Sequence, residues 1–252
     1  MLKIRIIPTL LYKDTGLVKD QQFASNRPIG GALQAMKVYS LREVDELVLL
    51  DVSATRNGRG PDFTLIDDLA DECFMPFSVG GGVRTTADIR NLLMVGADKV
   101  ILNTAAFTNS GLIGSGAINF GSQCIVVSVD VWRGQDGSLE VFSHCGTQAT
   151  GRHPVDWARQ AESEGAGEIL LTSINRDGMM NGYDLDLISA VTCAVSIPVI
   201  ASGGAGNYTD MEAAICQGNA AAVAASSIFQ FTEQTPLAAK RHLHSRGIPV
   251  RL

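Results

Sequence analysis

Eight short runs rich in aliphatic and β-branched residues punctuate the chain: IRIIPTL at 4–10, ELVLLDV at 46–52, PFSVGG at 76–81, DKVILN at 98–103, QCIVVSVD at 123–130, EILLTS at 168–173, IPVIASGG at 197–204 and AAAVAASS at 220–227. Most are continuously apolar rather than alternating, the pattern of strands buried on both faces. Between them lie eight segments of helical period, among them ALQAMKVYSLREV, TLIDDLADEC, TADIRNLLMVG, PVDWARQAESEG and LDLISAVTCAV. Several run into a glycine, the residue that closes helix C-termini. Eight strand–helix units in 252 residues predict a (β/α)8 TIM barrel, with a doubly wound parallel sheet as the competing architecture.

A displacement of 122 positions overlays the two halves without a gap: Glu46 on Glu168, Pro76 on Pro198, Gly81 and Gly82 on Gly203 and Gly204, Asp88 on Asp210, Gly96 on Gly218, Phe107 on Phe229. This internal half-barrel repeat favours closure around one axis and predicts paired, two-fold related sites. No linker interrupts the pattern, so residues 1–252 read as a single barrel domain. The stretch WRGQDGSLEVFSHCG after the fifth run predicts a hairpin turning at Gln135-Asp136-Gly137, inserted on the face where barrel enzymes do chemistry.

Charge narrows the function classes. With 20 Lys and Arg against 26 Asp and Glu, a net charge of −6 and no basic cluster, the chain lacks the footprint of a nucleic-acid or membrane binder. The start, MLKIRIIPTLLYKD, reads as a strand and not a signal peptide, and no apolar stretch approaches membrane-spanning length. The five cysteines form no CxxC pair, which argues against disulfides and a zinc cluster and for a reducing cytoplasm. No metal or cofactor is called for.

In each half a run ends in glycines and the next ends in small hydroxylic or amide residues: Gly80-Gly81-Gly82 with Asn103-Thr104, and Gly203-Gly204 with Ser226-Ser227. Bare backbone N–H groups there can cradle phosphate, and two sockets at one offset point to a small-molecule substrate with a phosphate at each end.

On the motifs RIIP at 5–8, GGGVR at 80–84, FGSQCIVVSVD at 120–130, GAGEILLTSINRDG at 165–178 and SIPVIASGGAG at 196–206, the whole chain resembles the cyclase subunit of imidazole glycerol phosphate synthase. The resemblance implies a barrel that takes ammonia from a glutaminase partner in a heterodimer, passes it along the barrel axis, and uses it to cleave and cyclise a bis-phosphorylated aminoimidazole nucleotide. It implies Asp130 as a catalytic acid/base. It also implies a substrate- and phosphate-binding set of Lys19, Asp51, Gly81, Gly82, Asn103, Thr104, Asp177, Gly178, Gly203, Gly204, Ala225 and Ser226. An ammonia gate of Arg5, Glu46, Lys99 and Glu168, and docking of the glutaminase at Asp98, follow from the same match.

The departures are selective. Leu11 stands where the family has its first catalytic aspartate, Asn175 replaces a usual aspartate, and Met179-Met180 replace a more polar pair. A leucine at that position resembles the cyclase-like paralogues associated with amidation of sugars in bacterial surface polysaccharides, which work with a separate sugar amidotransferase. Three functions therefore compete: an ammonia-conducting subunit for sugar amidation, a true cyclase of histidine biosynthesis, and a non-catalytic activator of the glutaminase.

Overall fold

A computed structural model describes residues 3–24, 27–42 and 44–252. In chain order its strands are β1 (Arg5–Lys13), β2 (Gly16–Lys19), β3 (Arg27–Gly30), β4 (Leu47–Asp51), β5 (Phe77–Gly80), β6 (Lys99–Leu102), β7 (Ile125–Arg133), β8 (Leu139–Ser143), β9 (Gln148–Ala149), β10 (Glu168–Ser173), β11 (Val199–Ser202) and β12 (Ala222–Ala225). Strands β1, β4, β5, β6, β7, β10, β11 and β12 pair in parallel with their neighbours, and β12 returns to β1. The result is a closed (β/α)8 barrel, and the doubly wound alternative is excluded by that closing pair.

Burial on both faces explains the continuous apolar runs. Ile7, Val48, Ile101, Val126, Leu170, Ile200, Ala222 and Ala224 fill the barrel interior, while a second and larger core lies between strands and helices. The repeat has a physical counterpart at two helix starts. Thr85 and Asp88 form a capping box on helix Thr86–Met94, and Asn207 and Asp210 form the same box on helix Tyr208–Cys216, one displacement of 122 away. Each satisfies backbone N–H groups that a helix N-terminus leaves unpaired.

The expected hairpin is present. Strand β7 runs into an antiparallel pairing with β8, from Asp130 opposite Phe142 to Arg133 opposite Leu139, and Gly137 takes a left-handed φ of +84° in the turn. Two features were not foreseen. Strand β1 is likewise prolonged by an antiparallel partner, β2, with Leu11 opposite Val18, and β2 pairs in turn with β3. Short helices, Thr104–Thr108 and Ser227–Phe231, also follow β6 and β12. Among the described residues no helix is long and apolar enough to cross a membrane.

Candidate active site

The C-terminal ends of the barrel strands surround a cavity of about 1230 Å3, its open mouth included. It gathers every residue of the expected substrate set, Lys19, Asp51, Gly81, Gly82, Asn103, Thr104, Asp177, Gly178, Gly203, Gly204, Ala225 and Ser226, together with Asp130 and Leu11. Strand periodicity puts Ser128 and Asp130 on one face of β7, where Ser128 Oγ donates to Asp130 Oδ1 at 2.9 Å. Asn103 Nδ2 donates to Asp130 Oδ2 at 3.0 Å. Burial pushes the Asp130 carboxyl up to about 7; the Ser128 hydrogen bond opposes this and the charge of Asp177 adds to it. A carboxyl held there can give or take a proton near neutral pH.

Leu11 is the counterpart of Asp130 by geometry. Strands β1 and β7 both have nine residues, and each continues beyond the barrel into an antiparallel hairpin. Leu11 is the first residue of one such pairing and Asp130 of the other. Two of the eight positions around the barrel thus have the same local construction, and only one carries a carboxylate.

The two glycine sockets follow the repeat. Gly81 has φ +111° and Gly203 φ +87°, and a Cβ at either would meet a backbone carbonyl, that of Asp51 at 2.4 Å or of Ser173 at 2.6 Å. Asp51 and Ser173 are themselves 122 residues apart, so both turns press on the end of the preceding strand in the same way. The hydroxyls nearby differ. Thr104 Oγ1 accepts from His144 N at 2.9 Å and donates to Asn103 Oδ1, whereas Ser226 Oγ is buried with no hydrogen-bond partner among the described residues. The hairpin has engaged one socket and left the other open, which the repeat alone did not foretell. Asp51 is largely committed to its own loop, with Oδ1 accepting from Ser53 N, Ser53 Oγ and Ala54 N.

Lys19 is buried and Asp177 partly buried, with Lys19 Nζ 3.8 Å from Asp177 Oδ1. Burial pushes Asp177 up and the Lys19 charge opposes it. Sequence reasoning missed Asp20, Phe23, Arg56, Ser128, Cys145 and Thr172 in the cavity wall. Ser128 and Thr172 were findable from strand spacing, since Ser128 is two residues from Asp130 on β7 and Thr172 pairs with Asp130 from β10; the others are delivered by loop conformations that leave no periodic signal. Burial raises the Cys145 thiol to about 11, so it is not poised as a nucleophile. Left-handed φ values at the non-glycine residues Gln22, Phe23, His144, Cys145 and Met180 cluster around this mouth, where backbone strain commonly accompanies function.

At the opposite end the four charges expected to form a gate meet as a closed ring. Arg5 Nη1 lies 2.5 Å from Glu46 Oε2 and Arg5 Nη2 bonds Glu168, while Lys99 Nζ lies 3.0 Å from Glu46 and 2.8 Å from Glu168. Ser78 Oγ also donates to Glu46, which is 1% exposed, so the ring satisfies a carboxylate whose burial alone would be costly. Asp98 is exposed on this face, but its Oδ2 accepts from Phe77 N at 2.8 Å, so it has a structural bond as well as a free side. Leu41, Phe74, Met94 and Ile118 are exposed near the C-terminal ends of four helices, which a (β/α)8 topology places at this same end.

Comparison with known proteins agrees with this geometry. The model of the family "Histidine biosynthesis protein" matches residues 5–233. Two relatives from strains of Caulobacter vibrioides, each called "Imidazole glycerol phosphate synthase subunit HisF", are 49% identical over 253 residues, covering 100% of this chain and 97% of their own length. With a closed barrel, paired sockets and a match along the whole chain, the protein belongs to the histidine biosynthesis protein family.

Proposed function

We propose that the chain is the ammonia-accepting barrel of a glutamine amidotransferase. A separate glutaminase docks over the ring at the N-terminal end, and neutral ammonia passes the ring and the apolar interior lined by Ile7, Val48, Val126 and Leu170. It emerges beside Asp130 and meets a phosphorylated acceptor held between the two glycine sockets. Ammonia crosses an apolar interior far more readily than ammonium, so the ring also keeps bulk water and ions out.

The acceptor reaction is amidation of a sugar for surface polysaccharide, in concert with a separate sugar amidotransferase. Leu11 carries this reading: an apolar, 7% exposed side chain lines the cavity at the position equivalent to Asp130, so β1 brings no second carboxylate into the cavity. A second reading, ring closure in histidine biosynthesis, is favoured by the 49% identity along the full chain and by the raised pKa of Asp130. Growth of a cyclase-deficient histidine auxotroph decides between them. Failure to complement, with labelled glutamine nitrogen still reaching a sugar in the presence of the amidotransferase, supports the first; complementation at a normal growth rate rejects it.

A further inference from the structure

One carboxylate in the cavity wall is used by neither socket, gate nor Asp130. Asp20 follows directly on β2, whose register sets Val18 against Leu11, so the returning strand carries Asp20 to the same end of the barrel as the unfilled acid position. It is 5% exposed, it lines the cavity, and its Oδ1 is buried without a hydrogen-bond partner among the described residues. The charged groups around it are Lys19 beside it, Asp177 from the loop after β10, Arg56 from the loop after β4 and Lys13 at the end of β1. Lys19 lies 3.8 Å from Asp177, and none of the cations donates to the free oxygen of Asp20.

A buried acceptor without a donor is costly, and a fold retains it where something from outside completes it. Socket phosphate is the wrong complement, because like charge repels it and an ionised phosphate has little to donate. A hydroxyl or an amino group is the right one. We propose that Asp20 is a ligand-contacting carboxylate of this pocket, taking the place of the acid absent at Leu11 and accepting a hydrogen bond from a hydroxyl or amino group of the phosphorylated acceptor. The assignment rests on the reading of the cavity as the acceptor site.

Titration calorimetry with two probes separates the two ideas. Inorganic phosphate reads the sockets alone, and ribose 5-phosphate adds hydroxyl groups to the same anchor. The native chain should bind ribose 5-phosphate about tenfold or more tighter than phosphate, the size of one charge-assisted hydrogen bond. Asp20→Ala should lose that increment while phosphate binding changes by no more than about twofold, and Asp20→Asn, a neutral acceptor, should lose most of it. Ribose 5-phosphate binding no tighter than phosphate, or an increment that survives Asp20→Ala, overturns the proposal. Absence of phosphate binding to the native chain rejects the acceptor-site reading itself, and the assignment of Asp20 falls with it.

Stability distinguishes a structural role. Burial and the Asp177 charge raise the Asp20 carboxyl while Lys19, Arg56 and Lys13 oppose this, so the folded pKa lies above the unfolded one. Such a group costs stability as pH rises through its folded pKa and nothing well below its unfolded pKa. Asp20→Asn should therefore melt at or above the native temperature at about pH 8, with the advantage vanishing toward about pH 3. A variant that melts lower at about pH 8 would assign Asp20 to holding its loop and overturn the proposal.

Discussion

Replacing Asp130 by asparagine isolates what the barrel bears to keep a carboxyl at the end of β7. Burial moves that carboxyl from 3.8 to about 7, equivalent to about 4 kcal/mol between its two protonation states. Because the folded pKa is the higher, the contribution to stability is fully present below about pH 4 and is lost as pH rises to about 7. Asparagine has nearly the same shape. Its oxygen can accept from Asn103 Nδ2, and its amide can donate to Ser128 Oγ once that hydroxyl rotates. Asp130→Asn should thus change stability little at about pH 4 and raise it by roughly 2–4 kcal/mol at about pH 8, discounting for relaxation around the charge. For a chain of this size that is a gain of roughly 5–15 °C in melting temperature. Ammonia-dependent product formation should fall by about 10²- to 10⁴-fold, the usual worth of a positioned acid/base. Parallel melting curves of native chain and variant across this pH range test the argument. A variant less stable than the native chain at about pH 8, or a difference independent of pH, would refute the claim that burial sets the proton affinity of Asp130.

The remaining expectations concern the two ends of the barrel. Leu11→Asp should raise ammonia-dependent turnover of the histidine-pathway aminoimidazole nucleotide by about 10²-fold or more; a native chain already at a normal cyclase rate and unaffected by the change would defeat the sugar-amidation reading. Phosphate should bind at two sites of unequal affinity, the tighter being the one with the free hydroxyl of Ser226, and Ser226→Ala should weaken that site only; crystals soaked in phosphate with neither socket filled would count against both. In the complex with a glutaminase, Lys99→Ala or Glu168→Ala should leave glutamine hydrolysis intact while lowering transfer of its labelled nitrogen. Equal effects on both activities would argue against a gate. Either substitution strands buried charge and should also cost about 3–5 kcal/mol of stability.

The barrel was legible because its strands are apolar on both faces, a constraint that writes itself continuously into the chain. The sockets were legible for a different reason. Backbone of the preceding strand lies within 3 Å of where a Cβ would stand on Gly81 and Gly203, so the sequence has little freedom there. That Arg5, Glu46, Lys99 and Glu168 would come together was readable from the family match, and the ring of ion pairs supplies a physical reason: these four charges can be drawn in from water only together. The rim was not legible. Gln22, Phe23, His144 and Cys145 adopt left-handed conformations that glycine or asparagine would have advertised, and surrounding contacts hold them instead. Nor could spacing show that His144 N reaches a threonine 40 residues away and engages the hydroxyl of one of two otherwise equivalent sockets.

The two halves of the barrel share a scaffold and differ in what was added to it. Both β1 and β7 are prolonged into hairpins, so both halves can bring a returning strand over the mouth of the cavity. In the β7 half the parent strand keeps its carboxylate, and the hairpin that follows ends at His144 and Cys145, engaging the hydroxyl of Thr104. In the β1 half the parent strand carries Leu11, and a carboxylate with an unpaired oxygen appears on the returning segment instead. A two-fold scaffold binds a symmetric feature such as paired phosphates at no further cost, but chemistry on an asymmetric acceptor needs the symmetry broken between the sockets. The residues that depart from the repeat, Leu11, Asp20, Asp130 and His144, all lie around or beside that gap, whereas the residues that obey it, the socket glycines and the capping boxes, hold the frame. On the reading proposed above, the hairpins carry specificity for the acceptor, and a relative with the same barrel could change substrate there without disturbing closure or the glycine turns.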